Sequence, residues 1–253
     1  MAACGGGDNQ DTNKDVITKI VASIVDCDGV STLINASEEY TGGSDYLELA
    51  ALELVWGALQ SIIIQELEIQ KEQAIAVFET SIDVMSYLKS VDAKQSSGVL
   101  DNIFITRDRL VRQNYLTTEY CIQNETCVCK YLDVFKKHDG TWIDRGETVT
   151  QRATRLFTRC HTKKLLVNGD ADFEILLPFF AFALKQHAEN QCVQRNCIQF
   201  LDASCSVVRD KNIIKRLGVM KSLAAILLTS NARIDDDFKK IVGVLIGKIA
   251  ALV

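Results

Sequence analysis

Proline is nearly absent from this sequence, which has only Pro178 among its 253 residues, and glycine is limited to 14 positions. All-β architectures need many turns, so this scarcity argues against them and favours long helices joined by short connections. Hydrophobic residues make up 47% of the chain, which excludes a disordered protein. The sequence therefore predicts an all-α protein, built as one extended array or as one to two compact domains.

Targeting features are also lacking. The start of the chain, MAACGGGDNQDTNKD, has neither the basic beginning nor the apolar run of a signal peptide, and no uninterrupted apolar stretch reaches about 18 residues. Residues 1–14 are aperiodic and predict a flexible tail ahead of a single domain over 15–253. The nine cysteines are odd in number and lie mostly within helical patterns, so we expect a reduced, cytoplasmic protein without membrane insertion.

Positive charge is not in excess. The chain holds 28 basic and 33 acidic side chains, for a net charge of −5 and a pI of about 5.3. Most of the acidic excess lies within residues 1–70. An acidic chain is a poor general binder of nucleic acid, so RNA binding is disfavoured.

Motifs for catalysis, metals and cofactors are missing as well. CGGGDN precedes no strand pattern and lacks the Lys-Ser/Thr ending of a phosphate-binding loop. Cys121, Cys127 and Cys129 are close in sequence, but their spacing fits zinc knuckles poorly and favours buried helical thiols. Cys160 and His161 are adjacent, which directs their side chains about 100° apart on a helix. We therefore expect no catalytic residue, no metal and no cofactor, and hence no enzyme.

What the sequence does contain is helical periodicity that repeats. Residues 175–205 and 219–249 align without a gap, and apolar residues coincide at 14 of 31 positions, about twice the chance expectation. The pattern predicts five similar units. Their short first helices are expected near 15–27, 70–80, 116–124, 162–168 and 207–217. Their middle helices are expected near 30–38, 83–90, 127–137, 174–187 and 219–229. Their long third helices are expected near 45–65, 101–114, 146–160, 190–205 and 233–252.

Two glycines at predicted turns between helices resemble a feature of a known family. Gly218 in RLGVMKSL and Gly29 in DGVSTL stand where armadillo repeats have a turn glycine, and Trp56 and Gln60 in LELVWGALQSI resemble the residues with which some members grip peptide backbones. The chain thus resembles armadillo-repeat proteins, most clearly over 172–253. The resemblance implies a right-handed α-α superhelix of about five three-helix repeats, with the third helices lining a concave groove. A HEAT-like array, which lacks the short first helix, is the alternative.

The departures from this family are also informative. The later third helices carry no recurring tryptophan or asparagine, so binding of nuclear-import signals is not supported. The same helices do carry arginine: Arg152, Arg155 and Arg159 fall at i, i+3 and i+7, which forms one stripe beside the apolar face. Arg109 and Arg112 extend the stripe from the preceding unit. As exposed charges, the first three are expected to contribute little to stability.

These residues predict a non-enzymatic scaffold or adaptor that binds an acidic or extended protein segment along the groove, through the five arginines and Trp56. The alternative for the arginines is a solvated charged face. Trp142, in the turn-rich segment KKHDGTWIDRGE, either anchors a partner or packs within its own unit.

A different function class is suggested by the C-terminal helix. FKKIVGVLIGKIAALV is apolar over more than one stripe, whereas the last repeat of a solenoid usually turns a polar face to water. The alternative function is therefore a structural protein that self-assembles through this helix. The competing interpretation is that earlier repeats bury nearly all of its apolar surface.

Overall fold

The computed structural model describes residues 28–41, 46–65, 69–115, 120, 131–137, 139–163, 165, 170–207, 212–228 and 236–252. Within these ranges there is no β-strand, and the one strand-like feature is an isolated bridge between Lys136 and Trp142. The prediction of an all-α fold is therefore confirmed. The predicted tail at 1–14, the first helix at 15–27 and the cysteine group at 121–129 lie outside the described residues.

Ten α-helices are described, numbered here in chain order. They are α1 Gly29–Tyr40, α2 Tyr46–Ile64, α3 Lys71–Leu88, α4 Ala93–Arg112, α5 Glu147–Thr162, α6 Asp170–Gln186, α7 Gln191–Val207, α8 Asn212–Arg216, α9 Val219–Leu228 and α10 Asp236–Leu252. A short 3₁₀ helix, Asp133–Phe135, precedes α5.

The helices pack in two rows. In the first row, α2, α4, α5, α7 and α10, each helix contacts the next. In the second row, α1 contacts α3, α3 contacts the 3₁₀ helix, and α6 contacts α9, while the rings of Phe135 and Phe179 join the 3₁₀ helix to α6 with centroids 4.8 Å apart. The rows meet through neighbouring pairs such as α1 with α2, α6 with α7 and α9 with α10. The first row follows the predicted order of third helices.

One predicted corner is absent. The pattern predicts separate helices over 70–80 and 83–90, but Lys71–Leu88 is one continuous helix. No glycine or proline interrupts it, and Ser81, at the expected break, donates a hydrogen bond to the carbonyl oxygen of Phe78 in the preceding turn. Helix α4 accordingly begins at Ala93 rather than near residue 101. The prediction of two helices here is wrong because the residues between 80 and 83 include no helix breaker and continue the helix.

The corner at Gly218 does exist. The short helix α8 ends at Arg216, and α9 begins at Val219. Gly218 has a φ of 69°, in the left-handed region where a Cβ atom is unfavourable. Its backbone N–H donates to the carbonyl oxygen of Lys215 at 3.1 Å, and its own carbonyl accepts from the N–H of Lys221 at 3.0 Å. Only Leu217 and Gly218 therefore separate the two helices.

Helices α4 and α5, which carry the predicted arginines, have well-defined starts. The carboxylate of Asp92 caps α4 by accepting a hydrogen bond from the backbone N–H of Lys94 at 2.9 Å. Helix α5 follows Gly146, whose φ of 97° again favours glycine. The last turns contain Arg109 and Arg112 in α4 and Arg159 in α5, where cations interact favourably with the helix dipole.

The core lies between the rows and is rich in aromatic rings. The predicted apolar face of α5 is confirmed, because Val149, Ala153, Leu156 and Cys160 are all buried. Beside it, the rings of Phe180 and Phe200 stack with centroids 3.9 Å apart and nearly parallel planes. Full burial of such side chains contributes about 1.5–3 kcal/mol each.

Arg145 is a buried charge that joins three elements. Its Nε donates to the carbonyl oxygen of Val134 at 2.8 Å, and its Nη1 donates to the carbonyl oxygen of Val91 at 2.8 Å and to Ser96 Oγ at 3.0 Å. Its Nη2 donates to the carbonyl oxygens of Leu88 and Lys89, both at 3.3 Å. The side chain is therefore saturated by acceptors at the end of α3, the start of α4 and the 3₁₀ helix.

Helix α2 has an unusual composition for a surface helix. Its segment Leu47–Ile64 is long and apolar enough to cross a membrane by length and composition, with a mean hydropathy of 1.6. In the structure, however, Leu52, Trp56 and Leu59 are buried, and α2 packs against α1 and α4. A core helix passes the same test of length and composition, so the finding is weak evidence for a membrane span.

The last helix of the first row is buried on one side. Phe238, Val242, Leu245 and Ile249 enter the core, whereas Ile241 and Val244 are 52% and 59% exposed. Beyond α9 and α7, α10 has no substantial helix neighbour among the described residues. The apolar surface of this helix is therefore only partly covered.

Replacing Arg145 by methionine should lower the free energy of unfolding by about 3 kcal/mol or more, because buried carbonyl oxygens lose their donors. Arg145→Lys should recover only part of this loss, since an ammonium group cannot reach acceptors on three elements at once. The exposed Arg112→Met is the matched control and should cost less than about 1 kcal/mol. Chemical denaturation of the three variants measures the difference, and equal losses for Arg145→Met and Arg112→Met would contradict the role of Arg145.

Candidate functional site

The predicted arginine stripe lies beside a cleft that spans three consecutive helices of the first row. The cleft has a volume of about 230 Å³. Its lining residues are Gln60 and Ile64 of α2, Ile105, Asp108 and Arg109 of α4, and Arg152 and Arg155 of α5. We call this space the arginine cleft. The structure therefore brings together three of the five arginines predicted from the sequence.

Two aspartates of α4 hold the arginines of α5. Arg152 Nε lies 3.5 Å from Asp101 Oδ1. Arg155 Nε and Arg159 Nη1 both approach Asp108 Oδ2, at 3.4 Å and 3.0 Å. Arg159 Nη1 also donates to the backbone carbonyl oxygen of Asp108 at 3.3 Å. The partners match because Asp101 and Asp108 are seven residues apart, as are Arg152 and Arg159 on the neighbouring helix.

These ion pairs correct one expectation from the sequence. The side chains of Arg152, Arg155 and Arg159 are only 32%, 43% and 21% exposed, so they are not freely solvated. Reversing their charge would place new carboxylates beside Asp101 and Asp108, and the repulsion would lower stability. The premise of freely exposed charges is therefore corrected, and we now expect the triple charge reversal to lower stability.

Arg109 and Arg112 differ from the other three arginines. Neither makes an ion pair or a side-chain hydrogen bond with any residue that the structure describes. Arg109 lines the cleft, and Arg112 lies three residues further along the same helix and is exposed. Among the residues that the structure describes, the two carboxylates that pair with these arginines do not neutralise five guanidinium groups, and an excess of positive charge attracts anions.

Asp108 is unusual because its two oxygens have different surroundings. Oδ2 is shared by Arg155 and Arg159, whereas the buried Oδ1 accepts no hydrogen bond from the described residues. Burial raises the pKa of Asp108 above its usual value, and Arg159 and Arg155 oppose that rise. Burial likewise raises the pKa of Asp101, with Arg152 acting in the opposite direction.

Trp56 does not reach the cleft. It is fully buried, and its Nε1 donates to Ser37 Oγ at 3.0 Å between α1 and α2. The nearby Gln60, which carries the other half of the family resemblance, does line the arginine cleft. The two positions are four residues apart on α2, but Trp56 is fully buried in the core whereas Gln60 is only partly buried.

Arg107 lies on the same helix as Arg109 and Arg112, but it points into the core. It is fully buried, and its guanidinium lies 3.7 Å from the Tyr131 ring centroid and 4.7 Å from that of Phe78. Its Nε donates to Ser81 Oγ at 2.6 Å, and its Nη2 donates to the carbonyl oxygen of Phe78 at 3.1 Å. Burial lowers the pKa of Arg107. This arginine packs against the second row instead of binding a ligand.

Three further candidates from the sequence, Trp142, Cys160 and His161, contact the core. Trp142 packs on the next helix of its row, with its ring 5.7 Å from Phe179 and 5.8 Å from Phe182. Cys160 is buried, while His161 lies edge-on to Phe173 with centroids 4.9 Å apart. Burial lowers the pKa of His161. No group of three or more His, Cys, Asp and Glu side chains that could hold a metal occurs among the described residues.

Comparison with protein-family models, curated proteins and solved structures finds no match for this chain. The armadillo resemblance therefore depends on the sequence pattern alone.

The raised pKa of Asp108 makes a testable prediction. Because the folded state holds this proton more tightly than the unfolded chain does, the contribution of Asp108 to stability is complete below the unfolded pKa and is lost as pH rises through the folded pKa. The free energy of unfolding of the wild type, minus that of Asp108→Asn, should therefore fall as pH rises from about 4 to 7. Denaturant titrations at several pH values measure this difference, with the exposed Asp83→Asn as a control for charge loss. A difference that grows with pH would contradict the assignment.

Proposed function

We propose that this chain is a non-enzymatic interaction scaffold that binds an acidic, extended segment of a partner protein along the arginine cleft. The observation that carries the proposal is the pairing pattern. Arg152, Arg155 and Arg159 are held by aspartates, while Arg109 and Arg112 have no ion pair among the described residues. A site with fixed guanidinium groups and spare positive charge suits carboxylates, which accept bidentate hydrogen bonds.

The shape of the site supports the same proposal. The cleft is shared by α2, α4 and α5, three successive helices of the first row. A partner that lies across this row meets several units in succession, which favours an extended segment over a compact ligand. The proposal includes an armadillo-like superhelix of about five repeats, which the two rows and the corner at Gly218 support.

Arg109→Gln/Arg112→Gln tests this function with the least disturbance to the fold, because neither side chain has an ion-pair partner among the described residues. The matched control is Lys215→Gln/Lys221→Gln, which removes the same charge from exposed positions of α8 and α9. The three proteins are used to capture partners from nuclease-treated lysate, and captured proteins are quantified by mass spectrometry. We expect a partner that the wild type and the control retain equally and that the arginine variant retains at least about tenfold less.

Capture should also weaken as ionic strength rises, because salt screens the attraction between exposed charges. Equal capture by the arginine variant and the control would reject the cleft as the binding surface. Capture from untreated lysate that is absent from nuclease-treated lysate would favour a nucleic-acid partner and reject the proposed function.

A second candidate function, self-assembly through α10, is favoured by the exposure of Ile241 and Val244 on the outer side of that helix. Ile241→Lys/Val244→Lys should convert an assembled protein to a monomer, since lysines at an apolar interface would lose their hydration. Sedimentation velocity of the variant and the wild type measures this change, with Lys239→Ala as the control on the same helix. A wild type that is already monomeric at high concentration would remove this candidate.

A further inference from the structure

The arginine cleft has features that select among acidic ligands. We propose that it recognises one glutamate side chain together with a backbone N–H of the same extended segment, and that Asp108 selects against phosphate groups. This inference rests on the proposed function and specifies what the cleft binds. It follows from the size of the cleft, from the donors that remain available in it and from the unsatisfied oxygen of Asp108.

The size of the cleft limits it to one side chain. Small-molecule pockets usually enclose about 300–1,000 Å³, whereas this cleft has about 230 Å³. Ile64 and Ile105 supply apolar surface beside the polar residues. A glutamate places its methylene groups against such surface and carries its carboxylate beyond them, so both parts of the side chain find suitable contacts.

The guanidinium groups are arranged to leave donors for this carboxylate. Arg152 and Arg155 face Asp101 and Asp108 through Nε, at 3.5 Å and 3.4 Å. No described residue accepts a hydrogen bond from the Nη atoms of either arginine. Arg109, which also lines the cleft, makes no ion pair with any described residue. The aspartates therefore lie on the Nε side of two guanidinium groups, and the terminal nitrogens of both groups stay available.

Asp108 supplies an acceptor in the same cleft. Asp108 is one of the lining residues, and its Oδ1 accepts no hydrogen bond from any described residue. Because this oxygen has almost no exposed surface, a ligand donor reaches it only when the neighbouring side chains shift slightly. A buried acceptor without a donor costs free energy that a ligand donor would recover. An extended peptide offers a backbone N–H next to each side chain, so one segment can place a carboxylate on the arginines and an N–H on Oδ1.

The same carboxylate disfavours phosphate. A phosphomonoester carries about −1.5 to −2 charges near pH 7 and presents acceptor oxygens, whereas glutamate carries a single charge. Asp108 is only 8% exposed, so its repulsion of a second anion is weakly screened. A dianion gains more from the arginines, but Asp108 repels its larger charge more strongly than it repels a carboxylate.

Blocked hexapeptides that alternate glycine with glutamate, glutamine or phosphoserine test this selectivity on the full chain. Calorimetry measures affinity, and the arginine Nε–H signals in NMR spectra report where each peptide binds. We expect the glutamate peptide to bind at least about tenfold more tightly than the glutamine and phosphoserine peptides. Arg109→Gln should abolish this preference for glutamate over glutamine. Tighter binding of the phosphoserine peptide to the wild type would overturn the proposed selectivity.

The contact with Asp108 has its own probe. In a second glutamate peptide, one backbone N–H is replaced by an ester oxygen, which removes the donor and keeps the charge. Scanning this replacement along the peptide should reveal one position that weakens binding to the wild type at least about fivefold. The same replacement should have little effect on Asp108→Asn, for which the preference over phosphoserine should also shrink. Should Asp108→Asn unfold, the scan on the wild type alone decides: equal affinities at every position would overturn the backbone contact.

The outcomes separate this inference from the proposed function. If none of the acidic hexapeptides binds the wild type at millimolar concentration, the inference is wrong. The scaffold proposal is then judged by capture from lysate, where a longer partner is present and loss on Arg109→Gln/Arg112→Gln is the criterion.

Discussion

The buried guanidinium of Arg145 is the interaction on which the site depends. It takes acceptors from the end of α3, from the start of α4 and from the 3₁₀ helix, and it lies one residue before the glycine that opens α5. Because these hydrogen bonds hold Arg145 in place, they also position the chain directly before α5. The register between α4 and α5 then determines whether Asp101 and Asp108 meet the arginines opposite them.

Asp108 resolves a conflict that any cluster of arginines faces. Guanidinium groups repel one another, and their side chains lose conformational freedom when a ligand orders them. By sharing one oxygen between Arg155 and Arg159, Asp108 removes part of the repulsion, and it would limit the freedom of both side chains before the proposed partner binds. The carboxylate of Asp108 lowers the net positive charge of the site. Arg109 and Arg112, one and four residues further along α4, add positive charge beside it. The cleft thus combines order with attraction for anions.

Much of the helical layout could be predicted from the sequence, because apolar periodicity and the glycine at 218 act locally. The break expected between 80 and 83 was wrong, since no local signal distinguishes two helices from one when neither glycine nor proline intervenes. At the site, the arginines were identifiable but their partners were not. Asp101 and Asp108 match the spacing of Arg152 and Arg159, yet that match has meaning only once α4 and α5 are known to be adjacent. Likewise, the burial of Trp56 and Arg107 depends on which face meets the next helix.

The one-sided burial of α10 has a consequence for local unfolding. Among the described residues, helices α4, α5 and α7 each have a neighbour on both sides in the first row, whereas α10 has one. In a linear stack, the free energy of opening a unit depends mainly on its nearest neighbours. The C-terminal unit should therefore open at a lower free energy than the units around the arginine cleft. Transient exposure to proteases and solvent would then be concentrated at α10 wherever nothing else covers its exposed side, while the cleft remained folded.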